Sequence, residues 1–130
     1  MLYYDIMLGM FSVFIGGGIG ALLRYLICSF YAKSCSVGFP YHTFAINVIG
    51  SFILGFFIYA FNTKTGVDTN FKLFLTVGIC GGFTTFSTFS VESLHLLKQG
   101  RVLEFFAYTF GSVFICLLGA AIGAYFAKFV

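Results

Sequence analysis

The chain has 130 residues, 60% of them hydrophobic and 8% charged, with a formal net charge of +3 and a mean hydropathy of +1.03. A soluble domain carries about 25% charged residues, so this chain cannot cover its own surface in water and its solvent is lipid. The length allows one domain, residues 1–130, and the few scattered cations form no basic face for nucleic acid, which is not expected as a partner.

Four segments reach the roughly 20 apolar residues that a membrane helix needs; they cover residues 6–32, 43–61, 73–97 and 102–129. The sequence therefore predicts an all-α membrane bundle embedded in a bilayer. The first run has no positive region ahead of it, its first charge being Asp5, and is expected to be a retained helix rather than a signal peptide. Within it Gly16/Gly20 and Gly17/Ala21 stand four apart, a spacing that permits close helix contact. Gly16–Ala21 also matches a dinucleotide fingerprint formally, but no βαβ unit surrounds it. Arg24 lies inside the same span and is read as structural, reaching toward the nearer interface, with anion attraction as the alternative.

In the second span Thr43, Asn47 and Ser51 recur every four residues and form one polar stripe. Two roles fit it. The stripe can hydrogen-bond a neighbouring helix, or it can line a pore, where an asparagine amide offers two N–H donors without a charge.

The third span contains Gly81-Gly-Phe-Thr-Thr-Phe-Ser-Thr-Phe89. Paired glycines weaken a helix, and Thr and Ser can satisfy the backbone groups released. The span is expected to be broken near mid-membrane, where irregular backbone survives only if buried or lining a cavity. Broken helices present carbonyls to cations; two breaks meeting on a dimer axis would suit Na⁺ better than a divalent ion. Phe83, Phe86 and Phe89 recur every three residues, as a packing stripe would. Their ring edges are also positive and could line an anion path without binding the anion tightly. Glu92-Ser-Leu-His95 matches one half of a di-iron ligand set, but the additional glutamates are missing; Glu92 is expected near a helix end or vestibule.

The fourth span carries Tyr108 and Ser112, and its Gly119/Gly123 pair is a second packing device. Cys28, Cys35, Cys80 and Cys116 form no Cys-x-x-Cys pair and are read as small hydrophobes. No nucleophile–base–orienter set is present, so enzyme chemistry has no support.

Lys33, Lys98 and Arg101 on one side are balanced by Lys64, Lys72 and Lys128 on the other. Since an excess of Lys and Arg normally fixes orientation, this chain either inserts both ways round or takes its orientation from other features. The first case permits an antiparallel, dual-topology homodimer, which would also enclose the polar residues that four helices alone cover poorly.

With these residues together the chain resembles the Fluc (CrcB) fluoride channels. The likeness runs through Gly17–Tyr25, Thr43–Phe52 and Gly81–Phe89 and, more weakly, Tyr108 and Ser112. It implies a dual-topology homodimer with two antiparallel pores that exports fluoride passively from a bacterial cell across its membrane. It further implies a structural Na⁺ at the dimer centre, held by the carbonyls of Gly81 and Thr84, and an anion path at Asn47, Phe86 and Phe89. Thr43, Ser87, Thr88, Tyr108 and Ser112 are placed along that path. His42 stands where the family usually has glycine, Cys116 where a small polar residue is expected, and Phe83 at a variable position. The alternative is a small multidrug-type, proton-coupled antiporter, but that class uses a carboxylate within its first helix, where this chain has Arg24. A membrane assembly factor would not need a broken, hydroxyl-rich helix.

Overall fold

The computed structural model describes residues 2–34, 38–64 and 66–130. Among them there is no β-strand. Helix α1 spans Leu2–Ser34 and α2 Tyr41–Thr63. The third membrane segment is composite. A short α3, Thr69–Leu73, runs into a π-helical stretch, Phe74–Cys80, and a single turn α4, Gly81–Phe83. Thr84 and Thr85 are extended, and α5 resumes at Phe86–Lys98. Helix α6, Val102–Phe126, closes the chain with a final 3₁₀ turn, Ala127–Phe129. Four stretches are long and apolar enough to cross a membrane: Tyr3–Tyr31, Tyr41–Thr63, Thr69–Lys98 and Val102–Phe129.

The first three spans begin earlier than their hydrophobic runs, at Leu2, Tyr41 and Thr69, while the fourth begins at Val102 as its run does. Asp68 caps α3, its carboxylate accepting from the Phe71 amide at 2.9 Å, so the third segment starts before residue 73. Pro40 precedes α2 at Tyr41, a place where its missing N–H costs nothing. Gly100, at φ 73°, supplies the left-handed residue between α5 and α6. The π-helical stretch has no counterpart in the sequence reading. Cys35 lies outside the described residues, while Cys28, Cys80 and Cys116 are free thiols.

Glycine contacts hold the helices together. A Cβ on Gly16 would overlap the Phe74 carbonyl oxygen, and one on Gly20 the Ile79 carbonyl oxygen. Gly78 and Gly82 answer from the other side, each against the α1 backbone. Gly17 differs from the expected pairing: its own Cβ direction is open, and only its backbone is approached, by Gly78 and Gly82. Between α2 and α6, Gly55 meets Ala120 and Gly123 meets Phe52, again backbone to backbone. Such contact replaces the hydrophobic drive that lipid cannot supply.

A single chain buries little. Only 17% of the most apolar window of α1 lies inside the structure, and Phe11, Phe14, Leu22, Tyr25 and Phe30 are all exposed. The buried cluster of Phe89, Leu96 and Tyr108 sits between α5 and α6, with Phe39, Phe44 and Phe105 packed on it. That cluster lies beside the polar residues described next.

Candidate functional site

The interruption at Thr84–Thr85 is held by the second helix. Asn47 Nδ2 donates to the Thr85 carbonyl at 3.1 Å, and the Thr85 amide donates to Asn47 Oδ1 at 2.8 Å. Both backbone groups of a buried residue are thus satisfied by one side chain, as a low-dielectric setting demands. Thr85 then caps α5: its hydroxyl accepts from the Thr88 amide at 3.2 Å and donates to the Thr88 hydroxyl at 2.9 Å. Two carbonyls lose their helical partners in consequence. The Thr85 amide would bond Gly81 in an unbroken helix, and the Thr88 amide would bond Thr84; both amides are engaged elsewhere.

Thr85 was not singled out in the sequence. The signal was present, since a threonine after two glycines and just before a helical run is a standard N-cap.

Beside the interruption lies a cavity of about 260 Å³ lined by Asn47, Ser51, Leu54, Thr84, Thr85, Phe86, Phe89, Ser112, Val113 and Cys116. The Ser112 hydroxyl is buried and has no hydrogen-bond partner among the described residues, so it is a donor held free at the cavity wall. Phe86 and Phe89 stand 5.5 Å apart between ring centroids, inclined at 44°. They differ in setting: Phe89 is 7% exposed and Phe86 77% exposed. Ser87 and Thr88, expected on the same path, bond to Thr85 and are not among the residues lining this cavity.

Thr43 and Tyr108 belong to a second group, centred on Glu92. The Thr43 hydroxyl donates to Glu92 Oε1 at 2.8 Å and the Tyr108 hydroxyl to Oε2 at 2.7 Å. His42 Nε2 lies 3.3 Å from Oε1. Thr43 and Tyr108 are almost wholly buried, whereas Glu92 also borders an open cavity of about 370 Å³ with Tyr31, His42, His95 and Arg101. Tyr108 packs on Phe89, centroids 5.2 Å apart, and so stands between this vestibule and the phenylalanine cavity. Glu92, expected near a helix end or vestibule, lies in α5 at the wall of this open cavity. Its bonds to three different residues were not read from the sequence, although an ionisable group inside a span demands partners.

Gly81 is exposed, and a Cβ there would meet no atom closer than 3.9 Å, so this backbone lies open on one face of the chain. The Thr84 hydroxyl donates to the Cys80 carbonyl at 2.9 Å, leaving its own carbonyl separate from that bond. Arg24 is half-buried on α1, apart from both cavities. Outside the spans, Arg101 is held by Glu104, with Nε donating to Oε1 at 2.8 Å, and this partner raises the guanidinium pKa above its ordinary value.

Comparison with known proteins decides the family. A family model described as CrcB-like protein, Camphor Resistance (CrcB), matches residues 11–124. The chain belongs to the CrcB family. Relatives include a protein of Phocaeicola vulgatus named fluoride-specific ion channel FluC, 43% identical over 89% of this chain and 95% of the relative. Proteins of the same name from Bacteroides fragilis and Aquifex aeolicus are 46% and 38% identical, over 87% of this chain and 91% and 94% of their own lengths. With four helices able to span a bilayer, this CrcB-family chain is a multi-pass membrane protein. The multidrug-type alternative finds no support in these matches.

Proposed function

We propose that this protein is a fluoride channel, a passive and fluoride-selective path for export across a bacterial cell membrane. The observation that carries the reading is the cavity at Asn47, Thr85, Phe86, Phe89 and Ser112, in a chain whose relatives are named fluoride-specific ion channels. Its wall combines an amide, a free hydroxyl and aromatic rings and carries no ionised group. Such a wall can replace part of an anion's hydration while holding it weakly enough to release it. The spent donors matter here. One N–H of Asn47 is committed to Thr85, so one remains for an anion.

The working unit is an antiparallel homodimer with two pores, its third spans broken near mid-membrane at Thr84–Thr85. The balanced Lys/Arg count, the scarcely buried α1 and the exposed Phe86 support this assembly. Gly81 and Thr84 suit a sodium ion on its axis, because the usual helical donors to both carbonyls are engaged elsewhere. A bound sodium ion supplies the positive charge against which such carbonyl dipoles converge.

The test is efflux from liposomes holding the purified protein, read with a fluoride electrode. Fluoride should leave rapidly and chloride should not. No protein-dependent fluoride efflux, or equal chloride efflux, overturns the reading. A tag after Val130, probed from both sides of the membrane, should be found on both faces; a tag on one face overturns the antiparallel dimer.

A further inference from the structure

His42 joins the vestibule to the Glu92 carboxylate. Its Nε2 lies 3.3 Å from Glu92 Oε1, and the two side chains keep 24% and 20% of their surface exposed. Its Nδ1 is buried and has no partner among the described residues. The Tyr31 ring packs on the imidazole, centroids 5.1 Å apart. An ionised carboxylate is an acceptor only, and here the Thr43 and Tyr108 hydroxyls also donate to it. Ionised, Glu92 places a negative charge at the wall of the open cavity, and His42 is a basic group in contact with it.

We propose that His42 regulates anion access by its charge: protonated it cancels Glu92 at the vestibule floor, and neutral it leaves a net negative charge that slows an arriving anion. The inference rests on the fluoride-channel reading and adds a control to it. A neutral imidazole donating through Nε2 leaves Nδ1 an unpartnered acceptor, while a second proton turns the contact into an ion pair at the cost of making Nδ1–H a donor with no acceptor among the described residues. Histidine changes charge between about pH 5 and pH 8, and the sign follows: flux rises as pH falls. The other groups facing this pair do not supply that change in the same way. Tyr31 on α1, Tyr41 on α2 and Tyr108 on α6 are phenols, Cys28 on α1 is a thiol within electrostatic range of Glu92, and Arg24, one turn before Cys28 and within range of it, is a guanidinium. Across the cavity Arg101 is already balanced by Glu104. His95 shares the cavity and is the chain's other histidine, so it is the necessary control.

The experiment is fluoride efflux from liposomes at about pH 6 and about pH 8, with protein-free vesicles at each pH to subtract leak of the neutral acid. Native protein should conduct about threefold faster at the lower pH, the effect of one unit charge acting through water over several ångströms. His42→Gln, and independently His42→Gly, should bring that ratio to about one, with each variant eluting from gel filtration as the native protein does. His95→Gln should keep the native ratio. A flat native profile, a His42 variant with the native ratio, or loss of the ratio in His95→Gln overturns the role of His42 and leaves the channel reading intact. Absence of fluoride flux from native protein at both pH values overturns the channel reading and this inference with it.

Discussion

Asn47 and Thr85, 38 positions apart in the chain, exchange two hydrogen bonds: the amide of one serves both backbone groups of the other. This pair couples the polar stripe of α2 to the interruption of the third span. Helix contact is one of the two roles considered for Asn47, and the side chain that makes it also lines the cavity proposed as the anion path.

Asn47→Ala should show both losses. Leaving the Thr85 N–H and C=O unsatisfied costs about 1–3 kcal/mol, so thermal unfolding in detergent should come several degrees lower. Fluoride efflux should fall at least tenfold, since the remaining amide donor is gone (about 1.4 kcal/mol corresponds to tenfold). Unchanged unfolding would deny the bracing role, and unchanged flux the pore role.

Phe86 and Phe89 should separate by stability while agreeing in flux. Ile at either position keeps apolar volume and removes the ring quadrupole, so efflux should drop strongly in both. Phe89 is buried against Tyr108, and its loss should cost about 1–2 kcal/mol. Phe86 is exposed in the single chain and should cost less. Near-native conduction by the isoleucine variants would reduce the two rings to packing.

Gly81 and Thr84 act through their backbones in this reading. Thr84→Ser keeps the carbonyl and the hydroxyl bond to Cys80 and should be mild. Gly81→Leu places a branched side chain on a face that is open in one chain, and should shift gel filtration from dimer to monomer. Replacing sodium with a large organic cation should lower the thermal stability of the native protein. A monomer shift absent from Gly81→Leu would remove Gly81 from the axis.

Gly20 and Gly18 test the packing of α1. A Cβ at Gly20 would overlap the Ile79 carbonyl, whereas at Gly18 it meets nothing within 4 Å. Gly20→Ala should lower folded yield sharply, and Gly18→Ala should be neutral or stabilising by about 0.5–1 kcal/mol through helix propensity. Equal yields would mean that α1 does not approach the third span so closely.

Composition and the lengths of the apolar runs were sufficient for four membrane helices, because lipid leaves a spanning segment few other ways to satisfy its backbone. The glycine spacings of α1 and α6 were legible for a related reason, since helices in lipid meet closely only where side chains are small. Membership in the CrcB family was also within reach of the residues alone, through Gly81–Phe89 above all. What the chain order could not express is which polar groups meet. Thr43, Glu92 and Tyr108 lie on three helices and share one carboxylate. Asn47 finds its partner in a threonine that reads as one hydroxyl among several. Those pairings depend on the rotation of each helix about its axis, which close backbone contacts such as Gly20 on Ile79 and Gly123 on Phe52 set only when the helices pack. Tertiary structure likewise decided that His42 faces Glu92, because helix packing brings α2 and α5 together at that end of the bundle.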